Sequence, residues 1–339
     1  MIDLSVVIPS YNSARTIETC IRSVFRSGGD SVEVIVVDDA STDNSPELVL
    51  NLIPQWPNRL HLIRQAINGG PAVARNRGAK EAQAESLFFL DSDTKMLDDT
   101  LDNFRSRLRN ADAVVGIYHY APLNEGIIPL YKALFNYFFF NRLGVIPYEV
   151  FDSSRAGIKR DVFETIGGFN ESLQWGMDYE NEELGYRICD KFKQLLDPSV
   201  AVHHEFPGFT KMTAIYFKRV ALWFEIFLRR RRFESGGVTS AGTGISSASL
   251  LASALALFIF ALPVSDAVSA VAISAAGLLF LLYLWGFAGF FAFAAQKHPM
   301  LLIPIILCNI FFTAVTAAAA TFGLFRFIIG RSNVGSNFS

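Results

Sequence analysis

Asp91 and Asp93, separated by one serine, follow directly on the apolar run Leu87-Phe88-Phe89-Leu90. Two carboxylates at i and i+2 in an irregular turn can point the same way and share a hard cation, Mg2+ or Mn2+, that also grips a diphosphate. Alone, the pattern has a second meaning, because aspartates also cap turns and helices. Asp38-Asp39, after Val34-Ile35-Val36-Val37, makes a second acidic corner of the same kind, where an Asx-type turn is the competing reading. Arg75 sits just after Asn68-Gly69-Gly70-Pro71, acids crowd Asp178 to Glu183, and His203-His204 follow Val200-Ala201-Val202.

The elements that must carry these groups are legible from periodicity. Leu4 to Ile8, Glu33 to Val37, Leu60 to Ile63 and Leu87 to Leu90 are short apolar runs, as expected of strands covered on both faces. Between them lie helical stretches. Ile17, Cys20, Ile21, Val24 and Phe25 recur at three and four in the first, Pro46 opens the second, and the third runs from about Ala72 to Ala84. Strand alternating with helix predicts a doubly wound, mostly parallel sheet, in which ligands sit beyond the carboxyl ends of the strands. Both acidic corners fall at such ends. Val114 to Tyr118 and Val200 to Val202 read as two further strands.

Composition excludes several classes. A formal net charge of −2 leaves no basic face for nucleic acid, and Cys20, Cys189 and Cys308 are too few and too scattered for a disulfide framework or zinc site. Met1 runs straight into a strand with no leader-like pattern, so no signal peptide is expected and the catalytic domain is expected to face the cytoplasm.

Four segments occur in a telling order: SVVIPSYNS at Ser5 to Ser13, VVDDASTD at Val36 to Asp43, NGGPAVARNRGA at Asn68 to Ala79 and FLDSD at Phe89 to Asp93. Together they are similar to the successive motifs of family 2 glycosyltransferases with the GT-A fold, over about residues 3 to 205. The resemblance implies that Pro9, Tyr11 and Asn12 line a nucleotide base pocket and that Asp39 hydrogen-bonds the base. It places Asp91 at the ribose or metal, with Ser92 beside it, and makes Asp93 the firmest metal ligand. Arg75 and the backbone near Gly69 and Gly70 become donors to the diphosphate or sugar. Ser154 to Ser172, with Gly167-Gly168-Phe169 at its centre, resembles the segment lining the donor sugar. Tyr179 to Ile188 resembles the helix whose aspartate takes the acceptor's proton, but the register puts Glu180 on the preceding glutamate and Asn181 on that aspartate. Asparagine cannot be a base. Glu180 is the first candidate and Asp178 the second, unless the acceptor attacks as an already ionised phosphate. His204 becomes a third metal ligand or a structural histidine.

The remainder is of another kind. Gly126 to Phe151 is rich in aromatic residues, which suits either a core or the headgroup level of a membrane. Lys211 to Phe233 predicts a helix with Lys211, Lys218, Glu225, Arg229 and Arg232 on one side, ending in Arg229 to Arg232. From Thr239 to Ser339 the only charged side chains are Asp266, Lys297, Arg326 and Arg331. Three stretches, about 245–265, 268–295 and 300–325, supply the roughly 20 apolar residues a helical span needs. Three spans would strand Arg326 and Arg331 opposite the other basic residues, so the last stretch is alternatively re-entrant or interfacial.

The expectation is therefore a GT-A, Rossmann-like α/β domain over 1–205, a juxtamembrane amphipathic helix over 206–238 and a transmembrane region over 239–339. The expected function is a metal-dependent, inverting glycosyltransferase of the inner membrane. It moves a sugar from a nucleoside diphosphate to a lipid or lipid-linked acceptor, with self-association left open. The alternatives are a processive polysaccharide synthase and a catalytically silent nucleotide-binding subunit.

Overall fold

A computed structural model describes residues 2–173, 179–231 and 241–329, which divide into two compact units: residues 1–124 with 140–205, and 125–139 with 206–339. The first unit is built on β1 (Leu4–Ser10), α1 (Ile17–Gly28), β2 (Val32–Asp38), α2 (Ser45–Leu52), β3 (Leu60–Arg64), α3 (Pro71–Glu81) and β4 (Ser86–Leu90). β3-β2-β1-β4 are parallel neighbours, as the alternating pattern predicts. Their apolar side chains are buried on both faces, and Ile17, Cys20, Ile21, Val24 and Phe25 of α1 close one of them. Gly78 lets α3 lie directly on β1, since a Cβ there would come within 2.4 Å of Val7.

Beyond β4 the sheet changes character. β5 (Thr94–Met96), α4 (Thr100–Leu108), β6 (Ala113–Tyr118), α5 (Ile127–Asn141), β7 (Ile146–Pro147), β8 (Arg155–Lys159), α6 (Arg160–Thr165), α7 (Glu180–Cys189) and β9 (Gln194–His204) follow in the chain. In space the sheet continues β4-β8-β6-β9-β5, with β8 antiparallel to β4 and β6, and β5 antiparallel to β9. The result is a mixed GT-A-like sheet, with β3-β2-β1-β4 parallel at one side and a second parallel pair, β6 and β9, beyond the antiparallel β8. β8 carries only Ala156 and Ile158 as its apolar period; Gly157 between them abuts Phe104 and the Leu87 carbonyl, where any Cβ would collide.

The second unit comprises α8 (Phe209–Arg230), α9 (Ala241–Phe260), α10 (Asp266–Lys297), α11 (Leu302–Ile328) and most of α5. Gly242–Phe260, Asp266–Lys297 and Pro299–Ile328 are long and apolar enough to cross a membrane. The aromatic stretch divides between the units. Phe151 meets Phe89 in the first, whereas Tyr131 stacks on Phe312 at 5.5 Å and Phe135 packs edge-on to Phe290 at 5.3 Å in the second. Glu225, expected on a charged helix face, is fully buried and paired with Arg326 at 3.3 Å. Arg232 and Arg331 lie outside the described residues.

Candidate functional site

The turn after β4 is closed by its own backbone: the Thr94 amide and hydroxyl both donate to the Asp91 carbonyl, at 3.2 and 2.7 Å. That leaves the two carboxylates to outside partners. Asp91 Oδ1 accepts from Arg75 Nη2 at 2.8 Å, and the Arg75 guanidinium lies 5.5 Å over the Phe169 ring. Arg75 is 4% exposed, so it is no surface helix charge. Its Nη1 lies 3.8 Å from Glu180 Oε1, and both Nη1 and Nε are buried without a hydrogen-bond partner. A buried guanidinium with donors to spare is costly in a finished core and apt in a site that receives an anion.

Asp93 meets its partner through sheet pairing. β5 and β9 run antiparallel with Thr94 opposite His204, and the Glu205 amide donates to the Asp93 carbonyl at 2.9 Å. His204 Nε2 thereby comes to 3.4 Å from Asp93 Oδ1, with the Tyr118 ring centred 4.6 Å from the imidazole. An aspartate oxygen and an imidazole nitrogen side by side fit a divalent first-row cation. Among the described residues no three His, Cys, Asp or Glu side chains form a complete metal cluster. Asp93 and His204 would therefore supply part of a coordination shell, Asp91 lying next in the turn, and oxygens of a ligand the remainder. The donor set fits Mn2+ or Mg2+ on those terms.

The other acidic corner is differently occupied. Asp39 is buried and accepts from the Gly69 amide and Gln65 Nε2 on one oxygen and from the Gly70 amide on the other, each at 2.8 Å. The Gly69 and Gly70 amides, expected to face a diphosphate, thus hold Asp39, and Asp39 fixes the entry to α3. Gly70 adopts φ +86°, a left-handed conformation that favours glycine. Asn12 Oδ1 accepts from the Thr42 and Asp43 amides at 2.8 and 3.3 Å, tying the loop after β1 to the loop after β2. Pro9 pairs with Val37 inside the sheet, and Tyr11 stands exposed beside these loops. Ser92 is half-buried in the turn between the two aspartates.

At the start of α7 the two candidate positions separate. Asn181 turns its side chain to the Ser153 hydroxyl at 2.7 Å, and its carbonyl accepts from the Phe151 amide at 3.0 Å. It is a structural tie. Glu180, one residue earlier, faces Arg75 instead. Asp178 lies outside the described residues.

Three groups were not anticipated from the sequence. Arg155, almost wholly buried, pairs with Asp152 at 2.7 Å, donates to the Gly116 carbonyl and lies 3.7 Å over the Tyr118 ring. Burial is the largest influence and works against its charge, but Asp152, through charge and hydrogen bond, together with Tyr118 and Tyr148 outweighs it and holds the Arg155 pKa above its ordinary value. Ser154 bridges this cluster to the turn, since its carbonyl accepts from the Asp91 amide at 3.3 Å and its hydroxyl meets Tyr118 at 2.7 Å. Asn76 copies a strand partner, accepting from the Phe169 amide at 2.9 Å and donating to its carbonyl at 2.8 Å, which anchors the Gly167-Gly168-Phe169 turn. The cue for Asn76 in the sequence is its place within the motif Asn68 to Ala79, one residue after Arg75.

Comparison with known proteins bears on the family and the fold. The family model described as Glycosyl transferase family 2 matches residues 5–167. Glycosyltransferase GlyG of Streptococcus pneumoniae is 31% identical over 125 residues, 36% of this chain and 41% of that protein. Succinoglycan biosynthesis protein ExoO of Rhizobium meliloti is 39% identical over 115 residues, 34% of this chain and 32% of that protein. The matched part thus spans less than half the length of either relative. Among solved structures, the mannosyltransferase PcManGT of Pyrobaculum calidifontis, in complex with GDP-Man and Mn2+, superimposes with a TM-score of 0.54 at 19% identity, over 95% of this chain and 86% of that one. At that identity the likeness concerns the fold.

Proposed function

From the glycosyltransferase family 2 domain that residues 5–167 carry, we propose that the chain transfers a sugar from a nucleoside diphosphate to a lipid or lipid-linked acceptor at the cytoplasmic face of the inner membrane. The observation that carries the reading is the convergence of Asp91, Asp93, His204, Arg75 and Glu180 beyond the carboxyl end of β4. Asp93 and His204, with Asp91 adjoining, would hold Mg2+ or Mn2+. A divalent cation bound there neutralises the charge that develops on the departing nucleoside diphosphate.

The chain's own residues do the rest. Arg75, already desolvated, keeps Asp91 in place and turns its spare donors toward an anionic ligand, which costs little reorganisation because Phe169 and Asp91 fix the guanidinium beforehand. Glu180 takes the proton of the acceptor hydroxyl as its oxygen bonds to the anomeric carbon; the bond from that carbon to the diphosphate oxygen breaks, and configuration inverts. Asn181 cannot take this role, and its amide is engaged by Ser153. Pro9, Tyr11 and Asn12 border the space for the base, while Asp39 shapes that region by holding Gly69 and Gly70. Apolar helices long enough to cross a membrane support an acceptor that resides in the bilayer. Basic residues after α8 and at the end of α10 support the cytoplasmic side for the catalytic domain.

The test uses the full chain in membranes, supplied with radiolabelled nucleotide sugars, lipid extract and Mn2+ or Mg2+. Label should enter the organic phase, stop on chelation and stop in Asp93→Ala. Failure to turn over any nucleotide sugar, or an undiminished Asp93→Ala, overturns the reading.

A further inference from the structure

Within the second unit, α8 and α11 lie side by side and run in the same direction. Phe209 meets Phe311, Phe217 meets Phe322, Glu225 meets Arg326 and the Arg229 guanidinium lies over Phe327, so the partner numbers rise together. The backbones approach closely where a Cβ on Gly323 would come within 2.5 Å of the Ala221 carbonyl oxygen. The ion pair of the buried Glu225 with Arg326 supports this register, because sliding either helix would separate the two charges. α9 and α10 are antiparallel: Ser246 packs on Gly286 and the Ser253 hydroxyl donates to the Ala276 carbonyl at 2.8 Å.

We infer that only α9 and α10 cross the bilayer, and that α8 and α11 lie together in the plane of the leaflet from which α9 enters. Successive spans must alternate in direction. Were all four helices to cross, α8 and α11 would be the first and fourth and would run oppositely, which their register contradicts. Were α11 to cross with α8 alongside it, the carboxyl end of α8 would reach the far face while α9 starts on the near one. The ten positions 231–240, whose sequence includes Arg231, Arg232 and Glu234, would then have to carry those charges back across the hydrocarbon. In-plane placement removes both conflicts and puts Arg229, Lys297 and Arg326 on one side, as the positive-inside preference requires.

The chemistry of the surface agrees. α10 has 32 residues, about half as many again as a span needs, so a span of about 20 counted from Asp266 ends near Trp285, and it is around that point, at Tyr283, Phe287 and Phe290, that α10 meets Asn309 of α11 and the aromatic residues of α5. Those contacts therefore sit at the end of the span and not at mid-bilayer. α11 exposes Ile303, Leu307, Phe325 and Ile328, suited to the acyl boundary, while α8 exposes Lys211, Lys218 and Arg219, suited to lipid phosphates. The partner of the paired helices is an anionic lipid leaflet.

The inference rests on the membrane assignment, which alkaline carbonate extraction of the full chain checks separately: release into the soluble fraction ends both. Sidedness is read by substituted-cysteine labelling of the full chain in a Cys189→Ser, Cys308→Ala background, with a membrane-impermeant maleimide on intact cells. Ser265→Cys, between α9 and α10, should label without permeabilisation. Ile329→Cys, after α11, and Asn51→Cys, in the catalytic domain, should label only after it. A fluorescent protein fused after Ser339 should report the same side as Asn51→Cys, and does not depend on the cysteine variants folding. Labelling of Ile329→Cys from outside, or the same behaviour at all three positions, overturns the two-span arrangement.

Discussion

Two strands of one sheet end in paired aspartates, and the structure uses them in opposite ways. After β2, Asp39 is surrounded by donors that cannot change charge, two glycine amides and a glutamine. After β4, Asp91 faces a charged side chain, the buried Arg75, and Asp93 a titratable one, His204. A carboxylate satisfied by backbone amides is part of the scaffold, whereas one balanced by side chains that can rearrange is available to a ligand. Both corners read as acidic strand ends in sequence; the donors opposite them differ.

The contrast can be broken most strongly at Asp93. Asp93→Asn should lower turnover by about 10²–10³, as expected when one stabiliser of developing charge is lost, with the thermal midpoint little changed. Unaltered turnover would erase the distinction between the corners. Glu180→Gln should cost about 10² or more and remove the low-pH limb of the rate profile, since a general base must be ionised to act. A retained limb would move the role elsewhere, Asp178 first. Asp39→Ala should reveal itself in stability: stranding the buried Gly70 amide, with that of Gly69 left to water, costs about 1–3 kcal/mol, read by chemical denaturation of the detergent-solubilised chain. If Asp39→Ala instead melts normally while losing nucleotide affinity, Asp39 belongs with the ligand after all.

The smallest effect sharpens the scaffold side. Burial alone would raise the Asp197 carboxyl, but hydrogen bonds from Arg107 at 2.6 Å and from Ser199 outweigh it and hold it below the usual carboxylate range. Its folded pKa being the lower one, the stability it lends is present above the unfolded value near ~3.9 and is lost as pH falls through the folded value. Asp197→Asn should therefore flatten the acid limb of a plot of melting temperature against pH, and an unchanged limb would remove Asp197 from the account.

How much was legible varies with the range of the interaction. The alternating apolar runs at Leu4, Val34, Leu60 and Leu87 and the stripe on α1 are local signals, and they appear in the structure where their periods place them. β8 was hard to read because Arg155 to Lys159 offers only Ala156 and Ile158 as alternate apolar residues, too short a signal by itself; it is a strand because Leu87 to Leu90 offers it an edge. Asn181 illustrates the same limit within one motif. Its identity showed that it could not be a base, but its bond to Ser153, 28 residues away, needed the fold.

By itself the sequence determined the doubly wound beginning, the two acidic corners at strand ends and the apolar lengths of the last hundred residues, because each is written in contiguous side chains and read by their spacing. Only tertiary structure decided that His204 stands beside Asp93, that Arg75 is buried between Asp91 and Glu180, and that α8 and α11 run parallel with Glu225 against Arg326. Those juxtapositions join residues tens to more than a hundred positions apart, where helical and strand periods carry no information about which partner an element will choose.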